Sequence, residues 1–134
     1  KKQIFCSKYT IKEYDNKIPS DLTAEQILIR SGNIGSVRIG QKLGIKKFKS
    51  FLEKIGILSK IEFDIEEVGQ PIPFRWVKCK LATTSYGHGI TTTPLQVAKG
   101  YSIIANGGYD IKPTLIKKDL KKKCSLFFRM YVMF

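Results

Sequence analysis

The chain has 134 residues, 43% of them apolar, and a formal net charge of +13. That length supports one modest core, hence one domain or part of one, and the apolar fraction excludes a disordered chain. No apolar run approaches the roughly 20 residues that cross a bilayer, no apolar signal-peptide core follows Lys1-Lys2, and a first residue other than Met suggests that the start of the gene is missing.

The charge invites a nucleic-acid reading, but its distribution argues against one. The arginines, Arg30, Arg38, Arg75 and Arg129, and the lysines are scattered, not clustered with aromatics on one face. Residues 117–134 hold six basic groups and one acid, and so supply +5 of the +13. Charge alone gives only non-specific phosphate binding, so nucleic acid is not expected as a partner. A basic binding module for nucleic acid or an anionic surface is the alternative reading. Cys6, Cys79 and Cys124 lie far apart without Cys-x-x-Cys spacing, which argues against a zinc site or a redox pair. They are expected to be small buried hydrophobes, with at least one free thiol and no disulfide framework.

In chain order, residues 1–20 read as an extended lead-in, with a turn at Ile18-Pro19-Ser20-Asp21. A helix follows over Ala24 to Arg30. Thr23 or Asp21 can cap it, with Glu25 or Gln26 placed to return the bond. Ala24, Ile27, Leu28 and Ser31 share one helical face, which places Ser31 on the core-facing side at the helix end. The polar turn Ser31-Gly32-Asn33 comes next, and Gly32 and Asn33 tolerate the backbone angles a turn needs. A second helix runs from about Ile34 to Lys42 and closes at Gly44. In the next, Phe48, Phe51, Leu52 and Ile55 form a core stripe, Lys46, Lys47, Lys49 and Lys54 take the wet face, and Gly56 ends it.

Ile61 to Glu66 alternates with period two, as a half-buried strand or an extended loop. Its acids, Glu62, Asp64 and Glu66, read as a solvated face rather than an acid–base pair. Gly69, Pro71 and Pro73 make an irregular loop that Trp76 anchors. Thr93 and Pro94 open a helix as N-cap and N1, and Gly107-Gly108 stops it. Ile111 to Ile116 reads as a strand. His88 is the only histidine, so a Ser-His-Asp or Cys-His site would have to use it, with Cys79 and Ser85 nearby in sequence.

Two blocks stand out: Ser31-Gly32-Asn33, and Ser85-Tyr86-Gly87-His88-Gly89 followed by the Pro94-Leu95-Gln96 helix and its Gly107-Gly108 stop. Ser-x-Asn is one of three motifs that build the active sites of penicillin-binding transpeptidases and serine β-lactamases. Together and in this order, the blocks resemble the middle of the transpeptidase domain of class B penicillin-binding proteins, most like the cell-division type, over about residues 4–118. The resemblance implies an α+β fold of helices packed about an antiparallel sheet, of which this chain holds mostly the helical part. A core missing its central strands would expose apolar surface, so poor stability alone is expected.

The resemblance also implies chemistry. In the family, the serine of a Ser-x-x-Lys motif attacks a D-Ala-D-Ala or β-lactam carbonyl, because a hydroxyl needs a base within hydrogen-bond reach. By the same resemblance Ser31 is the relay hydroxyl and Asn33 the carboxamide that orients the lysine and binds the substrate amide. Gly32 stands where division-type members commonly have Ser. Ser85, Tyr86, Gly87 and His88 resemble the cleft-lining Ser-aromatic-Gly-x-Gly block and are candidate substrate contacts, with His88 where Gln or Tyr is frequent. Peptidoglycan stem peptides, β-lactams and divisome membrane proteins are the implied partners, with no metal or organic cofactor. The implied location is the inner membrane, with the catalytic domain outside the cytoplasm and the anchor not in these residues.

No serine here has Lys three residues later, and Lys-Thr-Gly and Lys-Ser-Gly are absent. Residues 1–118 are therefore read as a partial transpeptidase domain, a fragment inactive alone. Residues 119–134 form an atypical basic and aromatic tail, either a frame-shifted or truncated end or a genuine divergent one.

Overall fold

The chain opens as a hairpin rather than as an open lead-in. In the computed structural model, which describes residues 3–65 and 69–117, Gln3–Cys6 (β1) and Tyr9–Lys12 (β2) pair antiparallel, with Ile4 opposite Ile11 and Cys6 opposite Tyr9. Cys6 and Ile11 are buried and Ile4 packs beside them. The connection is Ser7-Lys8, with Ser7 at φ 54°. It lacks the Asn-Gly or Asp-Gly pair that announces a tight hairpin, which hides the pairing in the sequence.

Four helices follow: Ala24–Ile29 (α1), Asn33–Lys54 (α2), Lys78–Thr84 (α3) and Pro94–Ala105 (α4). Gly44, at φ 77° and ψ 163°, breaks α2 into the two segments expected from the sequence. By contacts the chain divides into two compact units. One comprises the described residues up to Lys49 with Phe74–Ile90, and the other Ser50–Pro73 with the described residues from Thr91. The architecture is α+β, with one two-stranded sheet among the described residues. No described helix is long and apolar enough to cross a membrane.

The first unit is organised by a small core of Cys6, Ile11, Ile34, Val37 and Ala82. The first half of α2 meets α3 closely, since a Cβ on Gly40 would collide with Ser85. Trp76 packs at a tilt against Phe74, with ring centres 4.9 Å apart, and meets Phe48 edge-on at 6.3 Å, anchoring its loop as expected. A disulfide joins Cys6 to Cys79, with Cα atoms 5.3 Å apart. This corrects the reading of these cysteines as plain buried hydrophobes. The 73-residue separation hid the pair, which only the packing of β1 on α3 brings together. Cys124 and the stretch from Asp119 lie outside the described residues.

In α1 the capping box is Thr23 with Gln26. The expected inward face of this helix is not buried: Leu28 is 81% exposed, Ser31 is exposed, and α1 has no buried residue. Only Ile27 packs closely, lying where a Cβ on Gly35 would fall.

The second unit centres on Ile55, Ile61 and Ile103. Gln96 is fully buried there and does three jobs. Its Oε1 accepts from Thr93 N at 2.7 Å, its backbone N donates to Thr93 Oγ1, and its Nε2 donates to Ser59 O at 2.7 Å. The helix therefore buries Gln96, Gly100 and Ile103, leaving Tyr101 and Ile104 exposed. Lys99 pairs with Asp110 at 3.0 Å. Neither Ile61–Ile65 nor Ile111–Ile116 forms a strand. Side chains join them instead: Asp64 accepts from Thr114 Oγ1 and Leu115 N, and Lys112 reaches Glu62 at 3.2 Å. Glu66 lies outside the described residues.

Each described helix ends in the same hydrogen-bond pattern, in which a left-handed residue lets the next N–H reach back five residues. Gly56, Gly87 and Gly107 take that position, at φ 80°, 85° and 84°. At the end of α1 the residue is Ser31, at φ 53°, with Ser31 N donating to Leu28 O and Gly32 N to Ile27 O. A side chain in this conformation costs about 1–2 kcal/mol that glycine avoids. Ser31→Gly is therefore expected to leave helix content unchanged and to raise unfolding free energy by up to about 1 kcal/mol. A urea midpoint that falls would refute the strain. Gln96→Leu is expected to cost about 2–4 kcal/mol, because it strands the Thr93 N–H and the Ser59 carbonyl. A midpoint within error of the parent would show that those bonds are dispensable.

Candidate active site

The turn that carries Ser31 and Asn33 is fastened by the strand that precedes it. Lys12 ends β2, and its carbonyl accepts from Asn33 Nδ2 at 3.0 Å. Glu13 accepts from Asn33 N at 2.7 Å through Oε2 and from Ile34 N at 3.0 Å through Oε1. Tyr14 OH donates to Arg30 O at 3.0 Å. The first N–H groups of a helix need acceptors from outside the helix, and Gly32, preceding Asn33, has no side chain to offer. The Glu13 carboxylate fills that role at the positive end of the helix dipole.

Two consequences follow for the candidate pair. The Ser31 side chain is exposed, and its hydroxyl makes no hydrogen bond among the described residues. With Asn33 Nδ2 bound to Lys12 O, the carboxamide has its Oδ1 left to offer, an acceptor suited to an ammonium or an N–H.

The second block closes α3. Ser85 caps the helix, and its Oγ donates to Leu81 O at 2.7 Å beside Gly40. Gly87 is the left-handed residue at this helix end. Tyr86 packs against the core and stacks on His88, with rings 6.0 Å apart and 8° from parallel. His88 is exposed. Lys80 steadies the loop: its Nζ donates to Gly89 O and lies 4.2 Å from the Phe74 ring centre.

The structure thus gathers the six candidates into two groups, Ser31 with Asn33 and Ser85 with Tyr86, Gly87 and His88. Ile34 lies in the core cluster and Tyr86 packs against it, and both groups belong to the first unit. No hydrogen bond or ring contact joins the groups among the described residues. Cys79 is held in a disulfide and the Ser85 hydroxyl donates to Leu81 O, so among the described residues neither is bonded to His88. An open cavity of about 490 Å³ lies beside the turn, walled by Ile18, Ile27, Ile34 and Ile39 with Arg38 and Lys42. None of the six candidates lines it.

Glu13 is the residue that reading the sequence missed. A cap delivered from twenty residues away has no local pattern, and the one hint was a helix start whose N-cap is glycine. The disulfide secures the same hairpin to α3. Reduction, or Cys79→Ser, is expected to cost about 4 kcal/mol by the chain-entropy account for a loop of this length. Equal denaturation midpoints with and without reductant would rule the link out.

A family model for the penicillin binding protein transpeptidase domain matches residues 1–128. A probable peptidoglycan D,D-transpeptidase FtsI of Caulobacter vibrioides is 26% identical over 110 residues, covering 81% of this chain and 18% of that protein. Stage V sporulation protein D of Bacillus subtilis is 30% identical over 96 residues, covering 69% and 15%. The chain thus spans less than a fifth of these relatives. Among solved structures, penicillin binding protein 3 of Mycobacterium tuberculosis complexed with aztreonam superposes with a TM-score of 0.78 at 23% identity, over 87% of this chain and 27% of that one. A Burkholderia ambifaria peptidoglycan glycosyltransferase gives 0.79 at 20% identity, over 91% and 40%. With its fold and nearly its whole length matched, the chain belongs to the penicillin-binding protein transpeptidase domain family.

Proposed function

We propose that the chain supplies the Ser-x-Asn part of a serine-type peptidoglycan D,D-transpeptidase site, in a protein of the cell-division type. Ser31 is the hydroxyl that relays a proton toward the leaving amine. Asn33 presents its carbonyl oxygen to the catalytic lysine and to the substrate amide. Tyr86 and His88, with Ser85 and Gly87, line the cleft where a peptidoglycan stem peptide or a β-lactam lies. The attacking serine with its lysine, and the Lys-Thr-Gly wall, come from residues outside this chain, so the 134 residues alone neither hydrolyse nor transfer. Divisome membrane proteins are the partners of the whole protein.

The observation that carries this reading is Ser31. Of the four described helix ends, the one that bears the motif has a serine in the left-handed conformation, with its hydroxyl exposed beside a carboxamide fixed at one end. Backbone strain of this kind clusters at functional sites, and together with the exposed hydroxyl it supports a side chain kept for its chemistry. Placement outside the cytoplasm, with a membrane anchor elsewhere in the protein, draws support from the Cys6–Cys79 disulfide, since such bonds persist in oxidising compartments.

The test is to read the gene past both ends of this frame and to label its product with a fluorescent penicillin. Ser-x-x-Lys upstream and Lys-Thr-Gly downstream are expected. The product should form a stable adduct, and Ser31→Ala should slow its formation about a hundredfold. A product without those motifs that takes no label would overturn the transpeptidase reading. A covalent adduct on the 134-residue chain alone would overturn its inactivity.

A further inference from the structure

We infer that Glu13 is a positioning residue for the transpeptidase site, acting through Asn33. This rests on the transpeptidase reading of Ser31 and Asn33.

The turn at 30–34 has few means of holding itself. Ser31 is in a strained conformation, Gly32 has no side chain, and the outer face of α1 packs against nothing among the described residues. Its order comes from three successive residues of the preceding strand and its exit, each binding a different point. Tyr14 holds the end of α1 at Arg30 O, Glu13 holds the start of α2 at two N–H groups, and Lys12 O holds the Asn33 side chain.

Glu13 is the central member. Both carboxylate oxygens are engaged, at 2.7 and 3.0 Å, and a charged two-point acceptor fixes direction as well as distance. The backbone N–H of Asn33 is bound by Glu13 while its side chain is bound by Lys12 O, so the residue is held from both sides by one strand end. That strand end is itself anchored, because Ile11 lies in the core two residues before Glu13 and the disulfide ties β1 to α3. Rigidity thus passes from the core through Glu13 to the group that must meet the lysine. A catalytic carboxamide displaced by about 1 Å loses much of its effect.

The experiment measures acylation by a fluorescent penicillin in the transpeptidase that carries this chain, for the parent, Glu13→Gln, Asn33→Ala and the double variant. Gln keeps the shape of Glu13 but turns one of its two acceptors into a donor. Acylation of Glu13→Gln is expected to be at least about tenfold slower at saturating penicillin. The double variant is expected to be no slower than Asn33→Ala alone, because residues acting through one another are not additive. Parent-like acylation of Glu13→Gln would overturn the inference, as would a double variant slowed by the product of the two single effects. If Glu13→Gln does not fold, Glu13→Asp, which keeps the charge and shortens the reach by one methylene, is judged by the same criteria. A parent protein that takes no label would fail the transpeptidase reading itself and remove the basis for Glu13, whereas a labelled parent with an indifferent Glu13 would fail this inference alone.

Discussion

Burial of five apolar side chains sets the first unit. Cys6, Ile11, Ile34, Val37 and Ala82 come from the hairpin, α2 and α3, and Val37 is wholly shielded from water. Each other member lies within a few residues of a group with a job. Ile11 precedes the Lys12–Tyr14 strut, Ile34 follows Asn33, Ala82 precedes Ser85 and Tyr86, and Cys6 makes the disulfide. The polar contacts at the turn need a fixed origin on the strand side, and a close-packed core that resists small displacements provides it.

The turn itself shows how one backbone solution can serve two ends. Three helix ends use glycine where the chain must turn left-handed, which costs little and presents nothing. The fourth uses Ser31 and presents a hydroxyl. On the proposed function, stability and chemistry conflict at that residue, and the surrounding hydrogen bonds hold the less comfortable choice in place. In the second unit Gln96 resolves a similar conflict differently. It is a fully buried polar side chain whose donor and acceptor are both matched, so a capped helix start and a packed interior coincide.

Legibility in the sequence followed the range of the interactions. The Thr23–Gln26 box, the break at Gly44, the Thr93-Pro94 start and the Gly107-Gly108 stop are local, and residue types a few positions apart announced them. The family was legible from two short blocks because their order along the chain is itself informative. What stayed hidden is non-local. Cys6 and Cys79 are partners only through strand-on-helix packing, Glu13 caps a helix twenty residues on, and Leu28 lacks the cover that its helical period anticipates. The alternating run Ile61–Ile65 carries strand periodicity but finds side-chain rather than ladder partners in residues 112–115. Periodicity reports which face is apolar, and tertiary packing decides what meets it.

The first unit is also discontinuous, since Phe74–Ile90 joins it only after the chain has left for residues 50–73. That topology has a kinetic meaning. The Glu13–Asn33 contact closes a loop of about twenty residues and can form early, whereas α3 must return across some seventy to meet the hairpin, and longer loops close more slowly and at greater entropic cost. During vectorial emergence of the chain, the turn bearing Ser31 and Asn33 is therefore shaped first by its own strand. The hairpin gains its contact with α3 only later, and the disulfide then makes that contact durable.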